Sequence, residues 1–152
     1  MATLKISDLS VGDWVRYDDR ICQIAEIYHL TYNIGSKKMT SFPRVTLYYE
    51  DDMPTYQESV ILKDIRPIPI TAEMLEKNGW STDGMYAFLR IDEHRHLEYY
   101  YHEHRLRKYY CGVDEWQNHA KVTDITFAVH CYSVHQLQHA LRLAGVDKEI
   151  NL

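Results

Sequence analysis

The chain has 152 residues, 45% hydrophobic and 26% charged, a balance that makes a globular protein and excludes a disordered one. Its formal charge of −5 argues against a broad phosphate-binding surface, which needs clustered Lys and Arg. No run approaches the roughly 18 apolar residues of a membrane span.

Met1–Asp8 lacks the basic and apolar regions of a secretory signal. The cysteines, Cys22, Cys111 and Cys131, are odd in number and widely spaced, which points to reduced thiols and a cytoplasmic location. Tyrosine is the compositional outlier, with 13 residues against 3 Phe and 3 Trp. An apolar ring with a polar tip suits sheet faces and interfaces.

Gly12-Asp13 is a turn signal, followed by the β-formers Trp14–Tyr17. Asp18-Asp19-Arg20 reads as a hairpin turn and Ile21–Tyr28 as a second strand. The polar stretch Tyr32–Lys38 reads as a loop tip. Arg44–Glu50 alternates, with Val45, Leu47 and Tyr49 on one face. Tyr56–Val60 makes a short fourth strand, and Leu62–Ile65 a 3₁₀ turn. Short antiparallel strands in this number usually close into a barrel, because closure removes exposed edges. The expectation for residues 1–66 is a small SH3-like β-barrel.

Pro67 and Pro69, one residue apart, cannot occupy a central strand and favour an extended path. They form a joint leading into residues 67–152, an expected α+β subdomain. Thr71 caps a helix over about 72–78, with Ile70 and Leu75 at the spacing of a hydrophobic staple and Asn78-Gly79 at its end.

An antiparallel sheet is expected over about 85–131. Its first strand runs from Met85 to Ile91, with Met85, Ala87, Leu89 and Ile91 sharing a face. Leu97–His102 and Arg105–Cys111 follow, with a turn after Cys111 and a further strand over Glu115–His119. Thr123–Cys131 closes the sheet with Ile125, Phe127 and Val129 inward. The last helix, about 134–144, has Ser133 and Gln136 as a capping box, Tyr132 and Leu137 as a staple, and an apolar stripe of Val134, Leu137, Leu141 and Ala144. His135, His139, Gln138 and Arg142 lie beside the stripe and read as a solvated face. The whole is a barrel packed on a sheet with two helices.

Two constellations carry chemistry. His94 and His96, and His102 and His104, each stand at i and i+2, which on a strand aims both rings one way. If the two segments flank a hairpin, four imidazoles converge on a metal; no recognised zinc-module spacing accompanies them. Tyr99, Tyr101 and Tyr109, beside Arg105 and Arg107, have the composition of a stacking platform for single-stranded nucleic acid, with cross-strand packing as the competing account. No phosphate loop, nucleophile elbow or cofactor motif is present in the sequence.

The run Ile65–Trp80 resembles the I-x-P-I-P-L-T-x-E-x-L-x-K-x-G-F segment of small uncharacterised proteins of gut Bacteroidetes and their prophages and mobile elements. Val134-His135-Gln136-Leu137-Gln138 is similar to the V-H-Q-L-Q-N run that closes those proteins, and Leu9–Val15 to their L-R-I-G-N-W-V opening. His139 stands where they usually carry Asn, and residues 91–121 match none of their segments. The resemblance implies a β then α+β layout and brings no activity, cofactor or site residue. The sequence therefore points to a non-catalytic binding module, with a protein partner or self-association favoured over nucleic acid. A histidine-based metal enzyme and a nucleic-acid binder are the alternatives.

Overall fold

The computed structural model describes residues 4–33, 39–49, 57–111 and 122–152. The chain divides into two compact units, Met1–Ile68 and Pro69–Leu152, each built on an antiparallel sheet. No helix among the described residues is long and apolar enough to cross a membrane.

In the first unit β1 (Trp14–Tyr17), β2 (Arg20–Asn33), β3 (Met39–Tyr48) and β4 (Gln57–Ile61) form a meander in chain order. Entry into β1 is fixed by Gly12 and Asp13. Gly12 takes a φ of +89°, open to glycine at little cost, and donates its N–H to the Ile24 carbonyl at 2.7 Å. The buried Asp13 carboxylate accepts the Ser10 N–H at 2.7 Å, which offsets the cost of its desolvation. Between β1 and β2 the turn narrows to Asp18 and Asp19, both at positive φ (46° and 62°), because Arg20 already pairs with Tyr17. Such a turn matches the right-handed twist of its strands.

β2 and β3 extend further than apolar alternation indicated. Their ladder continues through Tyr32↔Thr40 and Asn33↔Met39, so Tyr32 and Asn33 belong to a strand rather than to a loop tip. A two-stranded ribbon is held by main-chain bonds, which polar side chains do not interrupt. Pro43 is tolerated in β3 because β4 first pairs at Arg44, leaving position 43 on an edge.

Val15, Cys22, Ile24, Val45, Leu47, Tyr49, Val60 and Ile65 form the core with Leu9. After a 3₁₀ turn at Leu62–Asp64 the chain returns to β1. Arg16 and Arg66 exchange two backbone hydrogen bonds of 2.9 and 2.7 Å, covering the outer edge of β1 and curving the sheet into a half-barrel.

The second unit begins with α1 (Ala72–Lys77). Thr71 Oγ1 accepts the Met74 N–H at 3.2 Å, as an N-cap does, and Leu75 is fully buried while Ile70 is half-buried. Buried Asn78 ends the helix and holds the segment at Asn151. Its Nδ2 donates to the carbonyls of Met74 and Asn151, both at 2.8 Å, and its Oδ1 accepts the Asn151 N–H at 2.8 Å.

A five-stranded sheet follows in chain order: β5 (Ser81–Thr82), β6 (Tyr86–Arg90), β7 (Arg95–Tyr100), β8 (Arg105–Cys111) and β9 (Val122–His130). α2 (Val134–Leu143) completes the unit. The expected strand at Glu115–His119 and the turn after Cys111 lie outside the described residues.

Four expectations are corrected here. Met85 is 69% exposed, since β6 starts one residue later. Ile125 is 55% exposed rather than inward. β9 carries an extra residue, Thr126, opposite the Lys108/Tyr109 step, and this bulge turns Ile125 to the face of Tyr109 while Phe127 shares that of Lys108. Tyr132 is 59% exposed rather than buried as a staple residue would be; Gln136 Oε1 accepts its N–H at 2.7 Å, one residue before the cap, and Ser133 Oγ turns to His135 Nδ1 at 3.0 Å. Finally, His135 and Gln138 are buried together with the apolar stripe, so α2 is enclosed over most of its circumference.

Two substitutions test this account. Asp19→Gly relieves a left-handed residue and should raise stability by up to about 1 kcal/mol in urea unfolding. Asn78→Ala should cost about 1 kcal/mol and speed amide exchange at Asn151, because the Asn151 carbonyl and N–H lose their side-chain partner.

Candidate functional site

The sequence-predicted residues all lie on or beside the β7–β8 hairpin, but strand alternation divides them. Leu97 and Tyr99 point to the buried face of the sheet; His96, Glu98 and Tyr100 point to the other, opposite Tyr109, Arg107 and Arg105. Tyr99 is 1% exposed, and its hydroxyl donates to the Cys131 carbonyl at 2.9 Å. Tyr101, in the turn, meets the Tyr99 ring edge-on at 5.5 Å. Tyr109 is buried on the opposite face. The three tyrosines expected to share a surface are therefore split between two faces and a turn.

On the Tyr109 face the side chains bind one another. His96 lies between Phe88 and Tyr109, with ring centroids at 4.9 and 5.0 Å, and bonds Glu98 Oε1 at 3.2 Å. The second Glu98 oxygen accepts the Tyr100 hydroxyl, which is 3.3 Å from that of Tyr109. Arg107 sits over the Tyr100 ring at 4.5 Å and bonds Glu103 at 2.6 Å. Burial, then the bond to Glu98, pushes the Tyr100 hydroxyl well above the usual phenol range, so it stays a neutral donor.

The histidines do not converge. His94 follows a bend held by Asp92, whose carboxylate accepts the N–H groups of His94 and Arg95 at 2.9 and 2.8 Å. The Arg95 side chain and these amides pull that carboxyl down to about 2. His96 lies at the start of β7, whereas His102 and His104 lie in the turn beyond its end. Four strand steps of β7 carry the chain roughly 13 Å from His96 to Tyr100, and the turn with His102 and His104 lies beyond. Among the described residues no three of His, Cys, Asp and Glu gather in a group that could hold a metal.

What the fold does bring together is His104, His130 and Tyr132, at the turn end of the sheet. His104 takes a φ of +48°, uncommon for a residue with a side chain. Its carbonyl accepts the Cys131 N–H at 2.7 Å, and its Nδ1 lies 3.3 Å from the Tyr99 hydroxyl. The His104 ring stands 5.0 Å from that of Tyr132, and the His130 ring lies nearly parallel to it at 6.2 Å. Tyr132 is 59% exposed. Arg105 pairs with both Tyr100 and His130, and its buried Nε has no hydrogen-bond partner among the described residues.

Three exposed rings at this end of the sheet, where Arg105 is the register partner of His130, offer faces on which a planar ligand can stack. Sequence reasoning missed His130 and Tyr132 as members of a surface. Counting register would have found them: Tyr100 opposite Arg105 opposite His130 places all three at one end. The first unit has an open groove of about 470 Å³, lined by Val11, Ala25, Glu26, Ile27 and Tyr28 at the bulge of β2.

Beneath this surface, burial pushes the Cys131 thiol up to about 12 from its ordinary 9.0. A raised pKa gives stability that is complete below pH 9.0 and lost progressively as pH rises toward 12, as the unfolded chain ionises first. Denaturant midpoints should therefore fall above pH 9.0, with a shallower fall in Cys131→Ala.

Comparison of the chain with protein-family models, with curated proteins and with solved structures finds no match.

Proposed function

We propose that the protein is a non-catalytic binding module of mobile-element origin, made of an SH3-like half-barrel and an α+β unit. Its ligand surface is the His104–His130–Tyr132 group. One observation carries the reading: an exposed Tyr132 ring is flanked by two imidazoles, one of them set by a backbone in the left-handed region. Backbone of this kind persists where surrounding structure holds it, and it concentrates at binding sites. The return of Arg66 to β1 after a 3₁₀ turn supports the SH3-like assignment, and the resemblance at Ile65–Trp80 supports the origin.

A binding role is favoured over catalysis by the use made of His96, Glu98 and Tyr100. These acid–base groups bond to each other and to flanking rings. The ligand chemistry is a planar ring bearing an anion, taken up by stacking on Tyr132, with Arg105 as the cation at the same end of the sheet. Single-stranded nucleic acid offers that chemistry, and its bases stack at a typical gain of about 1–3 kcal/mol each.

The test is fluorescence anisotropy of a labelled oligothymidylate at about 50 and 200 mM salt. Salt-sensitive binding is expected, weakened about tenfold or more in Tyr132→Ala with circular dichroism unchanged, since the side chain is 59% exposed. Absence of binding, or equal binding by the variant, would refute the assignment.

A further inference from the structure

We infer that β9 is a self-pairing edge, through which two copies of this chain join their second sheets antiparallel about Ala128. The observations are the direction of its backbone groups and the character of its side chains. His130 is common to this edge and to the ligand surface proposed above; the edge uses its backbone groups, the ligand surface its ring.

Among the described residues β9 pairs with β8 alone and forms the outer edge of the sheet. The Cys131 N–H donates to the His104 carbonyl at 2.7 Å, which makes Cys131 and His104 a hydrogen-bonded pair. Pairs in an antiparallel ladder alternate, so His130/Arg105 and Ala128/Arg107 are non-hydrogen-bonded pairs. The N–H and C=O groups of Ala128 and His130 therefore point away from β8, toward the open side. An edge with such groups is a template for another strand.

Edges that stay single are usually blunted by Lys, Pro or an inward charge. Thr126–His130 carries none of these. A two-fold axis at Ala128 sets Ala128 against its copy, Phe127 against Val129 of the copy, and Thr126 against His130. Phe127 and Val129 are half-buried on the core face, and their pairing extends that apolar surface across the junction. No acidic or basic partner of like sign meets its copy in this register. The bulge at Thr126 limits the regular stretch to these five residues, and Ala128 at its centre is small and exposed. The self-complementary pattern is what favours a second copy over an unrelated strand.

The full chain is examined by sedimentation velocity across a concentration series, beside Ala128→Pro. Proline at an outward-facing edge position removes a donor that the protein's own sheet does not use. Ala128→Lys is the second variant, leaving the backbone donor in place and setting two like charges face to face. A concentration-dependent dimer is expected. Both variants should raise its dissociation constant by about tenfold or more, with circular dichroism unchanged. In the dimer the His130 amide should exchange more slowly than in either variant. A wild-type chain that stays monomeric at about 100 μM would overturn the inference, since dissociation constants above that range mark only weak encounters. A dimer that both variants leave intact would overturn it as well.

Discussion

The second unit depends on one buried hydroxyl. Tyr99 lies on the core face of β7, and its phenol reaches the Cys131 carbonyl at the point where β9 gives way to α2. The adjacent Cys131 N–H is taken by the His104 carbonyl. Both backbone groups of Cys131 are thus satisfied by residues of the β7–β8 hairpin, at a place where neither strand nor helix supplies a partner. Leaving either group bare inside the protein would cost about 1–3 kcal/mol. The hairpin turn, the end of the last strand and the start of the last helix are consequently one piece, and the exposed rings at that end inherit its rigidity.

The two faces of this sheet solve different problems with the same residue types. On the core face, tyrosine supplies area and a single satisfied hydroxyl. On the other face, tyrosine, histidine and glutamate form a chain of contacts from Phe88 through His96 and Glu98 to Tyr100 and Arg107. Half-buried polar groups on a sheet are tolerated when each finds a partner, and such a network favours one register over its neighbours. That accounts for Tyr99, Tyr100 and Tyr109 without assigning them to a ligand.

Apart from the two-residue β5, which was not expected, and the expected strand at Glu115–His119, which lies outside the described residues, the strands were legible in the sequence, as were the Thr71 cap, the fully buried stripe of α2 and the inward triplet Val45, Leu47 and Tyr49, because each is a local pattern with a fixed period or spacing. What escaped was set by pairing. Tyr32 and Asn33 are polar yet lie in a strand, since their partners are backbone groups. Ile125 has the right spacing for the core, and one inserted residue reverses it. His135 and Gln138 look like a solvated face, and their burial follows from what surrounds α2 rather than from anything within it. The ring group at His104, His130 and Tyr132 joins positions far apart in the chain, so only strand register reveals it. The histidine pairs failed to meet for the complementary reason: neighbours in sequence were held apart by the length of a strand.

The Tyr99 hydroxyl has one further effect, on proton placement. A phenol owns a single hydrogen, and here it goes to the Cys131 carbonyl. The bond between that oxygen and His104 Nδ1 then requires the imidazole nitrogen to donate. In the neutral ring this fixes the Nδ1–H tautomer and leaves the lone pair on Nε2. A tyrosine inside the core thus decides which nitrogen of a surface histidine is free to accept a hydrogen bond.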